Sequence, residues 1–417
     1  LGEFCFFIWK KPENGLDRDA VANRPAARRP LAAGFFNGGN RRIEIPQRIE
    51  SDYNYGSAYI IDSTLKGADM NSILFQEIHQ QPEVVRHFLA NQGEKVAQIA
   101  KQILERNITH IIIAARGTSD NAARYAQYLF GANNQIPVAL ATPSLYTLYE
   151  APPTAIGALV IGISQSGRSP DIVSVIETSR QQGQPTLAIT NDLESPLAQA
   201  AAWVIDLQAG MEKAVAATKT YTTSLAALAL LSAALLNDHS RLNDVNKVPL
   251  WMQTTLSITA ENLARIERYT YITRSAVIGR GYNYATAFET ALKIKELTRI
   301  VTEPYSSADF LHGPISVLEA GYRFPLLVIA PSGKTEADLG KFIATVKKRG
   351  AATLVISDLD EILTLAELPF RIPVGIPEWL SPMVAIIPGQ MMALQLTLAK
   401  GLNPDQPVGL TKVTETR

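Results

Sequence analysis

The chain has 417 residues, 39 Lys plus Arg against 39 Asp plus Glu, 47% hydrophobic residues and one cysteine, Cys5. That length supports two or three domains with a sizeable core, and the balanced charge argues against a nucleic-acid partner, which calls for a basic excess or stripe. A lone cysteine excludes a disulfide framework and a cysteine-based zinc site, and fits a reducing, cytoplasmic setting.

Residues 1–69 stand apart. The stretch NRPAARRPLAAGFFNGGNRR is rich in Arg, Pro, Gly and Asn, with neither helical nor alternating periodicity. The opening LGEFCFFIWKK lacks a basic n-region and a small-residue cleavage site, so it does not read as a signal peptide. The expectation is an irregular, disordered upstream extension, and a chain starting at Met70 should fold and act alone.

From Met70 the pattern is regular. Two helical stretches (about 72 to 105) lead into the strand HIIIAA, the turn RGTSDN and the helix AARYAQYLF. Strands follow at PVALAT, ALVIGIS and TLAIT, with helices between them, then helices near 218–237 and 248–267. Short apolar runs alternating with helices predict an α/β fold with a parallel sheet covered on both faces. The run SLAALALLSAALL, residues 224–236, is too short to span a bilayer and reads as a buried helix, so no membrane is expected. The alternation restarts at AVIGRG, which divides the chain into a first domain, 70–245, and a second, 246–417, with a linker helix and a C-terminal tail.

The restart is a repeat. LVIGISQSGRSPDIVSVIETSRQQGQPTLAIT, from Leu159, and LLVIAPSGKTEADLGKFIATVKKRGAATLVIS, from Leu326, both run strand, Ser-Gly-basic-hydroxyl, helix, Gly and Thr-Leu strand. Two copies of one doubly wound domain follow. The second copy has Ala330-Pro331 where the first has Ser164-Gln165, so it has lost polar groups at the corresponding turn.

That turn, with Ser164, Gln165, Ser166, Gly167 and Ser169, suits an ordinary turn or an anion site at a helix mouth, and the asymmetry between copies favours the second. Gly117-Thr118-Ser119 lies at another strand end, where ligands of open α/β sheets bind. GRGYN, residues 279–283, is only a fragment of a dinucleotide fingerprint. In ETALKIKE, Glu289, Lys293 and Glu296 share one helical face. They form either an exposed ion-pair ladder, worth about 0.3–0.5 kcal/mol per pair, or the pairing of lysine and carboxylate that tunes a general base in a cleft. His312 in LHGP is structural or a proton shuttle held in a rigid Gly-Pro loop. Lys412, in the tail DQPVGLTKVTETR, is solvated or carried by a tail apolar enough to dock.

Together RGTS, SQSG, VAATK, GRG, ALKIKE, LHGP and DQPVGLTK make residues 70–417 resemble the isomerase part of glucosamine-6-phosphate synthase. That part consists of two tandem sugar isomerase (SIS) domains, each a flavodoxin-like sheet. ISQSGRSPD and AGMEKAVAATK are most similar to the stand-alone glucosamine-6-phosphate deaminases of this type. The resemblance implies that Gly117, Thr118, Ser119, Ser164, Gln165, Ser166 and Ser169 hold a sugar phosphate, with Val215 and Ala217 at the sugar. It implies that Glu296 moves a proton between C1 and C2, His312 opens the pyranose ring, Lys412 approaches the carbonyl carbon, and Lys293 and Glu289 support the enediol. Ala217 stands where the synthase motif has serine, and Arg168 where it has an acidic residue, which counts against synthase-like substrate handling but not against the isomerase core. The family also suggests a homodimer in which His312 reaches the neighbouring subunit's site.

The residue types agree with an aldose–ketose conversion, which needs ring opening, a base beside a carbonyl and cations for the enediolate. No cofactor or metal is called for, and the expected partner is a small sugar phosphate. The reading is an amino-sugar phosphate isomerase and deaminase. The alternatives are a synthase-like isomerase subunit, a fructosamine-6-phosphate deglycase, and a sugar-phosphate sensor without turnover. The synthase draws ammonia from an attached glutaminase with an N-terminal cysteine, and EFCFF around Cys5 does not match that start. Net ammonia release is therefore expected.

Overall fold

Residues 72–319 and 321–412 are described by the structure, a computed structural model. Cys5, the extension over 1–69, Met70 and the last five residues of the tail lie outside the described residues.

Helix α1 (Ile73–Leu104) opens on Ser72, whose Oγ accepts from the Phe75 amide at 3.2 Å. From the far end of the chain, Asp405 accepts from the Ile73 and Leu74 amides at 2.9 and 2.8 Å. These are amides that a helix start leaves without partners. One helix replaces the two stretches expected between 72 and 105, although Pro82 lies inside it. A proline orphans the carbonyl four residues back, and here Gln81 Nε2 donates to that Ile78 carbonyl at 2.9 Å. A side chain repairs the ladder.

The first sheet contains β1 (His110–Ala114), β2 (Val138–Leu140), β3 (Ala158–Ile163), β4 (Thr186–Thr190) and β5 (Trp203–Asp206). The strands are parallel, in the order β2-β1-β3-β4-β5. The second contains β6 (Arg274–Gly279), β7 (Val301–Ser306), β8 (Pro325–Ile329), β9 (Ala352–Ser357) and β10 (Leu368–Arg371), in the order β10-β9-β8-β6-β7, again parallel. Read from its other edge, the second order repeats the first strand for strand. This is the flavodoxin-like arrangement, and its switch point lies between β1 and β3 in one copy and between β6 and β8 in the other. Strands β3, β4, β8 and β9 are buried at every position, which is why they read as unbroken apolar runs.

Helices α2 (Gly117–Leu129), α3 (Ser144–Thr147), α4 (Pro170–Gln181) and α5 (Pro196–Ala200) connect the first strands, and α6 (Lys219–Leu235), α7 (His239–Val245) and α8 (Val248–Leu263) lead to the second sheet. There follow α9 (Tyr284–Thr298), α10 (Ser307–Leu311), α11 (Glu336–Lys348), α12 (Asp360–Leu363) and α13 (Ser381–Ala399). Side chains of α4 and α5 cover the outer face of the first sheet, and those of α10 and α11 that of the second. The inner faces meet one core shared by both halves, filled by α1, α6, α8, α9 and α13. The Ala/Leu run becomes the buried body of α6, packed on α1. Residues 378–399, ending in α13, are the one described segment long and apolar enough to cross a membrane, and they lie inside this shared core. A Cβ on Gly389 of α13 would come within 2.7 Å of Thr290 Oγ1 on α9, so glycine permits the close approach of these helices. Helix α9 also packs against α2.

Candidate active site

Two turns flank the first sheet's switch point. The chain leaves β1 through Arg116 and Gly117, at φ +53°, so that Thr118 and Ser119 fall in the first turn of α2. It leaves β3 through residues 164–169, and Pro170 then starts α4. Buried Asp171 accepts from Arg116 Nε at 2.7 Å and joins the two turns. Within the second turn, Ser164 Oγ accepts from the Gly167 amide at 3.1 Å and Ser166 Oγ from the Arg168 amide at 3.4 Å. Gly167 has φ +62°, and a Cβ there would meet Ser195 Oγ at 2.1 Å. Among the described residues no protein acceptor takes the Gln165, Ser166 or Ser169 amides. Free amides at a helix start, with hydroxyls around them, form a cradle for an anion.

The corresponding turn of the second half is filled. Asp358 accepts from both the amide and the hydroxyl of Ser332 at 2.7 Å, and Glu336 accepts from the Gly333 amide at 2.9 Å. Glu378 accepts from the Lys334 amide at 2.8 Å and from Thr335 Oγ1 at 3.4 Å.

Helix α9 brings the expected lysine–carboxylate face to the first turn. Lys293 and Glu289 are buried, and Glu296, nearer the helix end, keeps 24% of its side chain exposed. Lys293 Nζ lies 2.7 Å from Glu296 Oε2 and 3.4 Å from Glu289 Oε1, and donates to Thr118 Oγ1 at 3.2 Å. Thr118 Oγ1 in turn donates to Glu289 at 3.1 Å, and Asn121 Nδ2 donates to its other oxygen at 2.7 Å. The three α9 residues are thus not an exposed ladder. Glu289 and Lys293 form a buried junction between the two halves, with Glu296 at its partly exposed edge. Burial pushes the Glu289 carboxyl above its ordinary range, although the Lys293 charge and the Asn121 bond pull it back. Burial works against the Lys293 ammonium too, but Glu296 and Glu289 outweigh it and raise its pKa. The Thr118 hydroxyl proton is committed to Glu289, so that hydroxyl is not free to donate to another acceptor.

Lys412 reaches the first half from the tail. Its Nζ donates to Glu212 Oε2 at 2.8 Å and to the Ala214 carbonyl at 2.7 Å, beside half-buried Val215 and Ala217. The tail docks. His312 follows the five-residue helix α10 as its C-cap, in the turn that leads through Gly313 to Pro314, and is exposed, with Nδ1 3.2 Å from the Ala308 carbonyl. Among the described residues it has no bond to the α9 cluster. Nor do any three or more His, Cys, Asp and Glu there form a group that could hold a metal ion.

Sequence reasoning missed Asn121, Asp171 and Glu212. Asn121 had a legible signal, three residues after Thr118 and so on the same face of α2. Glu212 had none beyond its place in AGMEKAVAATK, because its charged partner Lys412 lies in a tail 200 residues away.

A family model described as the SIS domain matches residues 104–234 and 254–400. The glutamine–fructose-6-phosphate aminotransferase (isomerizing) of Gloeobacter violaceus is 32% identical over 354 residues, with 81% of this chain and 58% of that protein covered. The protein of the same name from Pyrococcus horikoshii is 31% identical over 344 residues, with 81% and 57% covered. The chain therefore spans under three-fifths of these relatives. Among solved structures, a protein of Silicibacter pomeroyi assigned as a phosphosugar isomerase matches with a TM-score of 0.71 and 30% identity, covering 80% of this chain and all of that one. The C-terminal domain of glucosamine-fructose-6-phosphate aminotransferase from Francisella tularensis matches at 0.72 and 25% identity, covering 81% and 98%. A glucosamine-6-phosphate deaminase from Thermotoga maritima shares the fold at 19% identity, with a TM-score of 0.66 over 83% of this chain and 100% of that one.

Proposed function

This chain belongs to the SIS-domain family, and from that premise we propose that it is an enzyme isomerising amino-sugar phosphates. The observation that carries the reading is the Glu289–Lys293–Glu296 face, with its lysine buried, joined through Thr118 to a turn beside the anion cradle. A sensor that only binds sugar phosphate needs the cradle but not a buried lysine flanked by two carboxylates.

In this reading the phosphate lies on the turn 164–169 with Ser119, and the sugar carbons extend toward α9. The substrate is glucosamine 6-phosphate. Once the ring is open, Glu296 takes the proton from C2 of the aldehyde, and the electrons left behind form the enolamine. Lys293 and Lys412 offset the negative charge that grows on the oxygen during this step. As Glu296 returns its proton to C1, the nitrogen loses one proton and O1 gains one, giving the C2 imine of fructose 6-phosphate. Water adds at C2 and ammonia leaves, so one water is consumed per ammonia released. Ring opening falls to His312 of the second subunit in a homodimer, which accounts for its exposed place away from Glu296 within one chain.

A second reading, the isomerase part of an ammonia-transferring synthase, is favoured by the names and the 31–32% identity of the aminotransferase relatives. Both share the proton transfer and differ in the direction of nitrogen. The discriminating assay incubates the protein with glucosamine 6-phosphate, and separately with fructose 6-phosphate plus ammonium or glutamine. Ammonia and fructose 6-phosphate from the first mixture support the deaminase. Amino sugar from the second mixture alone supports the synthase part, and turnover in neither leaves the sensor.

A further inference from the structure

Glu212 is a fully buried carboxylate with no part in the chemistry above, and its surroundings give it one. Its Oε1 accepts from the Thr218 and Thr220 amides at 2.9 and 3.1 Å, at the start of the seventeen-residue helix α6. Its Oε2 accepts from Thr220 Oγ1 at 2.9 Å and from Lys412 at 2.8 Å. Three of its four partners belong to the fixed frame of α6, where the helix dipole also favours a negative charge. The fourth is the tail lysine. A buried charge needs such a partner.

The other groups around it are already committed. Buried Lys219 donates to Gln80 Oε1 and to the Met211 carbonyl, not to Glu212. Glu77, on α1, accepts from the Lys213 and Ala214 amides. The loop 212–218 is therefore held from α1 by Glu77, from within by Glu212 and from the tail by Lys412, whose second bond is to Ala214. Asp405 fastens the same tail to the start of α1. Among the described residues, Lys412 is the only cation bonded to Glu212.

We propose that Glu212 is a positioning residue that fixes the Lys412 amine beside Val215 and so couples tail docking to the sugar end of the site. The proposal rests on the reading of Lys412 as the group that approaches the carbonyl. Glu212 acts through that lysine without touching the substrate.

Glu212→Gln keeps the size and one oxygen to accept from the Thr218 and Thr220 amides, but removes the charge and puts an amide NH2, which cannot accept from Lys412, in place of the other oxygen. Its kcat for glucosamine 6-phosphate should fall by about tenfold or more while KM, set by a phosphate cradle to which Glu212 has no bond, stays nearly unchanged. If Glu212 acts through Lys412, the double variant Glu212→Gln/Lys412→Met should be no slower than Lys412→Met alone; losses that multiply would overturn the proposal. A second readout needs no turnover. Acetylation of Lys412 by an N-hydroxysuccinimide ester, followed by mass spectrometry of the full chain, should be several-fold faster in Glu212→Gln than in wild type. Equal rates would defeat the proposal even in an active enzyme, whereas a rate difference in an inactive wild type would sink only the proposed reaction. Should Glu212→Gln fail to fold, Lys412→Met breaks the pair from its exposed end, and hydrogen exchange over residues 402–412 should then accelerate. Unchanged exchange counts against the proposal.

Discussion

Glu378 Oε2 accepts from the Lys334 amide at 2.8 Å, at the turn of the second half that corresponds to the open cradle of the first. With Asp358 and Glu336 it covers the amides of residues 332–334 with the protein's own carboxylates. A phosphate would have to displace three anions there. Calorimetry with fructose 6-phosphate should therefore give one binding site per chain. Two equal sites would show that these carboxylates yield to a ligand.

The open cradle should discriminate by phosphate. Ser166→Ala combined with Ser169→Ala removes two hydroxyls, and hydrogen bonds to a charged group are worth about 1.5–3 kcal/mol each. Affinity for the sugar phosphate should fall far more than affinity for the unphosphorylated sugar. An equal loss for both ligands would make these serines merely structural.

Gly167→Ala tests the backbone of the same turn. At φ +62° a side chain is strained, and its Cβ would press into Ser195 Oγ, so the turn must open. Phosphate affinity should drop as in the double serine variant, although the hydroxyls remain. Retained affinity would mean that the amides of this turn are not what holds the anion.

Much of this arrangement was legible in the sequence, for identifiable reasons. Strands β3 and β8 are buried on both faces, so ALVIGI and PLLVI stand out as apolar runs, and the two copies align through them. The i, i+4, i+7 spacing of Glu289, Lys293 and Glu296 placed them on one face, because helical geometry is local. The closure of the second turn was not legible beyond its missing Ser-Gln pair, since Asp358 and Glu378 arrive from 26 and 44 residues away. The continuity of α1 depends on one side-chain bond from Gln81 that periodicity cannot report. The turn at His312 and Gly313 was legible from the Gly-Pro that follows, but the short helix α10 wound by the five residues before it was not.

Glu212 also predicts a pH dependence. Burial alone would raise its carboxyl, but the Lys412 charge and bond, with the Thr218 and Thr220 amides, hold it below the usual 4.5. A lowered carboxyl contributes stability that is present above its unfolded pKa and lost as pH falls through the folded one. The melting temperature of wild type should thus exceed that of Glu212→Gln near neutrality, and the gap should shrink on acidification below about 4.5. A gap that is constant with pH would mean that the charge of Glu212 contributes nothing to the fold.

Glu296 should be the proton carrier. It alone of the three α9 residues keeps a quarter of its side chain exposed, and its Oε2 has no well-aligned donor among the described residues, although Lys293 stands 2.7 Å away. Glu289 is instead enclosed by Asn121, Thr118 and Lys293, with no room to accept a substrate proton. Glu296→Gln preserves size while removing the base, so turnover should fall by roughly 10²–10⁴-fold with sugar-phosphate binding retained. Exchange of the C2 proton of glucosamine 6-phosphate with deuterium from solvent isolates the step, because it reports proton transfer whether or not nitrogen leaves. That exchange should vanish in Glu296→Gln and persist in Lys412→Met at a reduced rate. Wild-type exchange in the Glu296 variant would move the base to another residue.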